Sequence, residues 1–241
     1  VQMLSSRGCP FRCTFCLWPQ TIYRDHAYRK RDPVKVVDEM AHLLTNFDFK
    51  AVYFDDDIFN ADRKHVLGIC DEIKRRQIRI PWGAMARVDR MDEKLLDALA
   101  AAGMYAVKYG IESVNEKILK SCKKMVNRSR IKETIRYTKK AGIKVHLTFC
   151  LGLPGETSRT IRDNIDFIEE MKPDSFQLSI ATPFPGTEYY NDLDKNGHLL
   201  SKNWSDFDGN STCIIRTDEL SSGDLERFKD DLDRYRNAQQ P

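Results

Sequence analysis

The sequence predicts an α/β protein, a partial (β/α)6 TIM-like barrel followed by a C-terminal helical extension. Short apolar runs of strand length alternate six times with segments of helical periodicity, which predicts a parallel sheet with helical crossovers. A parallel strand covered on both faces would be apolar on both, but the later strands each have one polar face. We therefore expect that face to line a cavity at the C-terminal strand ends. The two faces of the fifth strand are Ile143, Val145, Leu147 and Phe149 on one side and Lys144, His146, Thr148 and Cys150 on the other.

The first half of the chain supplies three strands and three helices. Pro33 favours a helix start because proline is tolerated in the first helical turn, and Gly103 ends the third helix. In chain order we predict a strand at 1–6, a helix at 33–45, a strand at 50–55, a helix at 63–76, a strand at 78–87 and a helix at 93–102.

The second half continues the alternation and then adds a tail. Gly142 ends a helix that leads into the fifth strand. The predicted elements are a strand at 105–111, helices at 115–121 and 130–141, a strand at 143–151, a helix at 158–171, a strand at 175–181 and a last helix at 222–236. With no repeat and no linker, we expect one domain over 1–241, with the barrel at 1–200 and the extension at 201–241. Since the chain opens on a strand, we also expect an upstream domain before residue 1.

Composition and charge narrow the function class. The chain has 39 basic and 36 acidic residues, a net charge of +3, and this mixed balance gives little support to a nucleic-acid ligand. No apolar run approaches the roughly 20 residues that span a bilayer, which leaves only peripheral membrane contact open. Seven cysteines, an odd number, with no secretory signal argue against disulfides and predict a cytoplasmic protein. The basic stretch 24–35 fits either a solvated loop or a lid that binds an anion.

Three cysteines crowd into eight residues near the start of the chain. Cys9, Cys13 and Cys16 have the spacing C-x3-C-x2-C, and thiolates are the usual ligands of iron–sulfur clusters. Three thiols leave one iron of a cubane open, which is a place for a substrate. Structural zinc usually takes four ligands, and His26 is the candidate for the fourth; chance crowding is the remaining alternative. Cys70, Cys122, Cys150 and Cys213 are most simply small buried residues, although Cys150 lies on the cavity face.

The cysteine loop follows the first strand and carries Phe15 directly before its third cysteine, and in this it resembles the radical SAM enzymes, which use S-adenosylmethionine (SAM). Motifs after the second, fourth, fifth and sixth strands extend the resemblance over nearly the whole chain. These motifs are residues 54–57, 110–113, 152–157 and 182–187. The combination resembles the subgroup in which a cobalamin-binding domain precedes the core. Residues 13–21 resemble a hopanoid-biosynthesis-associated branch that modifies lipid-linked polar head groups.

The resemblance implies the cofactors and the reaction. Cys9, Cys13 and Cys16 would hold a 4Fe–4S cluster whose open iron binds SAM. An electron donor such as flavodoxin or ferredoxin would reduce the cluster, and SAM would be cleaved to methionine and a 5′-deoxyadenosyl radical. The expected reaction is rearrangement or methylation of a lipid-linked or other polyol small molecule, with any cobalamin supplied by an N-terminal domain. The alternatives are an RNA methylthio- or methyltransferase and a non-catalytic iron–sulfur electron carrier.

The resemblance also implies contacts with SAM in the first part of the chain. Phe15 would pack against the adenine, where ordinary loop packing is the alternative. Asp56 and Asp57 would hold the ammonium group, unless the three successive aspartates form a solvated turn. Arg87 would bind the SAM carboxylate or a substrate anion, or else form a surface salt bridge.

Further contacts are implied after the fourth and fifth strands. Glu112 would hold the ribose or the methionine part of SAM, and Lys124, or its neighbour Lys123, would lie near the carboxylate. Thr148 would reach the ribose hydroxyls. Beside it, His146 is either a polar interior residue or an acid. Leu153 lies in a Gly-Leu-Pro-Gly turn whose backbone would approach the adenine, and which lacks the Gly-Lys-Ser/Thr ending of a phosphate-binding loop.

Overall fold

The strands form a sheet in the order that the sequence predicts. The structure is a computed structural model that describes residues 1–208 and 212–239. The strands are β1 (Gln2–Met3), β2 (Ser6–Arg7), β3 (Arg29–Lys30), β4 (Val52–Phe54), β5 (Trp82–Ala86), β6 (Met104–Glu112), β7 (Lys144–Leu151) and β8 (Ser175–Ile180). Six of them form one parallel sheet in the order β1-β4-β5-β6-β7-β8, and β2 and β3 form an antiparallel pair. This sequential order confirms the predicted partial-barrel fold class.

The structure has the following helices, of which the first three begin at capping aspartates. They are α1 (Pro33–Asn46), α2 (Arg63–Arg75), α3 (Glu93–Ala101), α4 (Glu116–Ser121), α5 (Arg128–Lys140), α6 (Ser158–Met171), α7 (Glu188–Lys195) and α8 (Ser222–Gln239). Asp32, Asp62 and Asp92 cap α1, α2 and α3 by accepting hydrogen bonds from main-chain N–H groups of the first turn. A cap of this kind typically stabilises a helix by about 1 kcal/mol. Among the described residues, no helix is both long and apolar enough to cross a membrane.

The chain divides into two compact units, each made of three segments. The first unit contains residues 1–10, 27–110 and 130–146, and the second contains residues 11–26, 111–129 and 147–241. In the first unit the rings of Phe54 and Phe59 lie 5.1 Å apart, and each lies within 5.6 Å of the Trp82 ring. The Trp82 indole N–H donates to Ala102 O at 2.8 Å, which satisfies its polar atom within this core. This cluster packs together the last residue of β4 and the first residue of β5.

In the second unit, β7 and α6 position the segments that follow the strands. Leu147, Phe149 and Leu151 are buried, whereas the alternating Thr148 and Cys150 are only partly buried. This alternation confirms the predicted polar face of the strand. On α6, the buried Asn164 accepts a hydrogen bond from Val114 N at 2.8 Å and so fixes the chain just after β6.

Several predicted elements were wrong in their bounds or missing. The predicted strand at 1–6 is two short strands, and β2 pairs with β3 in the stretch predicted as a loop or lid, with Arg7 opposite Arg29. The predicted strand at 78–87 shrinks to Trp82–Ala86, after Pro81, which has no N–H to donate. The helix α7 was not predicted, although Thr187 provides a cap and Tyr189 and Leu193 the buried i, i+4 spacing.

Candidate functional site

The first unit holds Cys9 at the start of the cysteine loop, directly after a glycine that the backbone requires. Gly8 has φ of +88°, and a Cβ there would lie 2.0 Å from Ala27 O, so no other residue fits without moving the chain. Gly8 N donates to Asp57 Oδ2 at 2.7 Å. The predicted ligand Asp57 therefore positions the residue next to Cys9, while its half-buried side chain keeps a second oxygen for other contacts.

The neighbouring Asp56 is directed into the protein. Its side chain is fully buried, and its two oxygens accept hydrogen bonds from Ser5 N (2.7 Å), Ser5 Oγ (2.5 Å) and Ser6 N (3.1 Å). Burial raises the pKa of this carboxyl, and these hydrogen bonds oppose that shift. Ser5 Oγ also lies 3.2 Å from His65 Nε2, and burial lowers the pKa of that imidazole. The Asp56 carboxylate thus ties β4 to the β2 segment, and its contact with the SAM ammonium group stays a prediction.

Arg87 lies at the end of β5 and is also engaged within the first unit. Its guanidinium donates to both oxygens of Asp89, at 2.9 and 3.1 Å, and its backbone N and O both bind the side-chain amide of Asn60. Arg87 is 9% exposed and Asp89 is half-buried, so this ion pair is partly buried. A ligand anion would share the guanidinium with Asp89.

In the second unit, a turn of π-helix follows Cys16 and places an amide against the cysteine loop. Tyr23 N donates to Trp18 O at 2.9 Å, closing the turn Trp18–Ile22. Gln20, in the middle of this turn, donates from Nε2 to the carbonyl oxygens of Cys13 (3.1 Å), Thr14 (3.0 Å) and Cys16 (2.9 Å). Its Oε1 accepts from Glu188 N at 2.8 Å. The sequence gives no periodic signal for such a turn, so Gln20 was not predicted.

The predicted residues Glu112 and Lys124 are brought together. Lys124 Nζ lies 2.6 Å from Glu112 Oε1, and the two side chains are only 5% and 15% exposed, respectively. Glu112 has φ of +64°, a left-handed conformation that is uncommon outside glycine and often marks functional sites. Lys123 instead forms an exposed ion pair with Glu188. The structure therefore separates the two candidate lysines, since only Lys124 joins Glu112 in a buried pair.

The Gly-Leu-Pro-Gly turn after β7 is held from within the second unit. The Gly152 N–H donates to the buried carboxyl of Glu156, and Tyr189 Oη donates to Gly152 O at 2.7 Å. Leu153 is fully buried, so only its backbone is in a position to contact a ligand. Thr148 and Phe15 are half-buried, as is His146 in the first unit.

Glu156 is an ionisable group that was not predicted to be unusual. Burial raises the pKa of its carboxyl to about 8, which favours the protonated form at neutral pH. One carboxyl oxygen, Oε1, is buried with no hydrogen-bond partner among the described residues. The turn therefore contains a buried neutral acid rather than a surface carboxylate.

The donor set of the cysteine loop consists of three thiols. Cys9, Cys13 and Cys16 are each half-buried, whereas Cys70 and Cys122 are buried. Within the described ranges, no three His, Cys, Asp or Glu side chains converge on one point as the ligands of a single metal ion would. In a 4Fe–4S cubane each cysteine binds a different iron, so the three thiols of this loop can supply three of its four ligands.

Most of the chain matches a known protein family. A family model described as the radical SAM superfamily matches residues 3–168. An uncharacterized methyltransferase from Pyrococcus horikoshii is 31% identical over 202 residues, which cover 84% of this chain and 44% of that protein. An anaerobic magnesium-protoporphyrin IX monomethyl ester cyclase from Rubrivivax gelatinosus is 30% identical over 223 residues, covering 91% and 39%. The chain thus spans less than half the length of these relatives.

A solved structure shares the fold. It is that of the radical S-adenosylmethionine methyltransferase TsrM from Kitasatospora setae, with cobalamin and a 4Fe–4S cluster bound. It superposes with a TM-score of 0.74 at 22% sequence identity, covering 94% of this chain and 43% of TsrM. The likeness supports the same α/β architecture for this chain.

Proposed function

The chain belongs to the radical SAM superfamily, and on that premise we propose that it reductively cleaves SAM and transfers a methyl group to a small-molecule substrate. The family's cofactors are a 4Fe–4S cluster and SAM. The observation that carries the proposal is the set of three half-buried thiols, Cys9, Cys13 and Cys16, in the C-x3-C-x2-C loop. When bound, the reduced cluster would supply the electron that cleaves one SAM to methionine and a 5′-deoxyadenosyl radical, and a second SAM would supply the methyl group.

The chain's own residues hold and orient SAM in this proposal. Lys124 binds the carboxylate of SAM, and Glu112 binds its ribose or its amino acid part. The two side chains are already largely removed from water and paired with each other, so each charge is stabilised before SAM binds. Asp57 binds the ammonium group with the oxygen that Gly8 does not use. Phe15 packs on the adenine, Thr148 reaches the ribose hydroxyls, and the backbone at Leu153 faces the adenine. Arg87, which is paired with Asp89, would share its guanidinium with the SAM carboxylate or a substrate anion.

Methyl transfer is favoured over rearrangement by the relatives. The Pyrococcus relative and TsrM are both named methyltransferases, and the TsrM structure contains cobalamin. Cobalamin would act here as a methyl carrier supplied by a domain outside residues 1–241. The resemblance of residues 13–21 to a branch that modifies lipid-linked head groups supports a lipid-linked or polyol substrate.

A direct test is cleavage of SAM by the anaerobically reconstituted protein. With dithionite as reductant, 5′-deoxyadenosine should form and be measured by liquid chromatography with mass spectrometry. Cys13→Ala should lose both iron and this activity, while the control Cys70→Ala, a buried residue of α2, should retain both. Retention of iron and cleavage by Cys13→Ala would refute the cluster assignment.

A second test separates the two reactions. SAM with a deuterated methyl group, supplied with cobalamin and polyol or lipid-linked acceptors, should add a trideuteromethyl mass to the product if methyl transfer occurs. A product of unchanged mass, formed together with 5′-deoxyadenosine, would indicate rearrangement.

A further inference from the structure

We infer that Gln20 is a positioning residue for the cluster, fastening the backbone of the cysteine loop to the start of α7. The inference rests on the proposed function, since it assigns Gln20 a role toward the cluster held by Cys9, Cys13 and Cys16. One side-chain amide contacts three carbonyl oxygens of the loop between 2.9 and 3.1 Å. Two of these carbonyls belong to Cys13 and Cys16, so the amide acts on the backbone of two proposed ligands.

The orientation of the amide is fixed by its surroundings. Its nitrogen must face the three carbonyls, because an oxygen there would meet only acceptors. Its oxygen then accepts from Glu188 N at 2.8 Å, the first N–H of α7. The two N–H groups of the amide serve three acceptors, so at least one of the contacts is shared. Gln20 thus links the loop to a helix end that has an N–H without a partner inside the helix.

Other contacts hold the same segments in place. Tyr189 N donates to Thr14 O at 3.0 Å, and Thr14 N donates to Cys122 O at 3.1 Å. Thr21 Oγ1, the next residue of the π turn, lies 3.4 Å from Pro185 O. The Gln20 side chain therefore acts between two segments that backbone contacts already bring close. Loss of the amide should loosen the ligand backbone without unfolding the unit.

A charge-sensitive substitution tests this role in the reconstituted holoprotein. Gln20→Glu keeps the size and the acceptor for Glu188 N but places a carboxylate oxygen against three carbonyl oxygens. Loss of a hydrogen-bonded outer partner commonly weakens metal affinity by about 10- to 100-fold, so iron release to a chelator should be faster by about tenfold or more. The electron paramagnetic resonance spectrum of the reduced cluster should also change. Gln77→Glu, the same change on the surface of the first unit, should release iron at the wild-type rate.

A backbone substitution isolates one of the hydrogen bonds. Proline is favoured at the first position of a helix and has no N–H, so Glu188→Pro removes the donor to Gln20 and leaves α7 in place. Glu188→Ala removes the same carboxylate, with its exposed pair to Lys123, but keeps the N–H. Iron release should be faster in Glu188→Pro than in Glu188→Ala. The comparison of Glu188→Pro with Glu188→Ala tests the role of Gln20 even if Gln20→Glu fails to fold.

The results separate the two proposals. A wild-type protein that binds no iron would refute the proposed function itself. A wild-type protein that binds the cluster, with Gln20→Glu and Glu188→Pro matching their controls in iron release and spectrum, would overturn the role of Gln20 alone.

Discussion

Asp56 lies just after β4 and Glu112 is the last residue of β6, yet these two acidic side chains differ in their contacts. Asp56 is fully buried and accepts hydrogen bonds from Ser5 and Ser6, so its carboxylate holds β4 to a neighbouring segment. Glu112 has a left-handed backbone conformation and forms an ion pair with Lys124. A strand-end position thus predicts that a carboxylate matters. It does not predict whether the carboxylate serves the fold or a ligand.

The largest expected effect is at Asp56. Asp56→Ala should lower the free energy of unfolding by about 4 kcal/mol, because two N–H groups and a hydroxyl would remain buried without their acceptor. Urea denaturation of the apoprotein measures this, with the exposed neighbour Asp55→Ala as the control, expected within about 0.5 kcal/mol of wild type. A variant that loses SAM binding with unchanged stability would reverse the comparison and make Asp56 a ligand contact.

The second largest expected effect on stability is at the ion pair between Glu112 and Lys124. Glu112→Gln should lower stability by about 3 kcal/mol, because the ammonium of Lys124 stays desolvated without its carboxylate. In the double variant Glu112→Gln/Lys124→Met stability should recover, since both charges are gone, while SAM binding measured by calorimetry should remain weak. Recovery of SAM binding together with stability would mean that the pair, like Asp56, serves the fold.

A third carboxyl group, that of Glu156, is expected to make the stability of the protein depend on pH. Its pKa is raised from 4.5 to about 8 in the folded protein, so the folded state keeps a proton that the unfolded state has lost. Between these pH values the free energy of unfolding should fall by up to about 1.4 kcal/mol per pH unit, and it should level off above pH 8. Urea denaturation from pH 5 to 9 measures the slope. Glu156→Gln should remove this contribution, and an unchanged slope in that variant would contradict the assignment.

The smallest effect distinguishes the two adjacent lysines. Lys123→Ala should cost no more than about 1 kcal/mol and leave SAM binding unchanged, because its pair with Glu188 is exposed. Lys124→Ala should weaken SAM binding clearly. Equal loss of binding in both variants would show that the buried pair is not what selects the lysine.

Periodic elements were predictable from the sequence and isolated contacts were not. The helix predicted at 158–171 matches α6, because both its apolar spacing and its cap at Thr157 are local signals. The pairing of β2 with β3 was missed because strands of two residues carry no periodicity. The end of the fourth strand indicated Glu112 and the family resemblance indicated Lys124, and the structure shows the ion pair between them. The inward direction of Asp56 depends on Ser5 and Ser6, about fifty positions away, and no local pattern encodes it.

The hydrogen bond between Gln20 and Glu188 also determines when, during translation, the cysteine loop can reach its final conformation. The two residues are 168 positions apart, so Gln20 is translated well before α7. At roughly 5–20 residues per second, the ribosome needs on the order of 10–30 s to make that interval. During this time the nascent cysteine loop has neither its anchor nor its final backbone, and its thiols are open to oxidation. Iron insertion is therefore expected only after α7 has been translated, which ties the yield of cluster-loaded protein to how reducing the cell is during that interval.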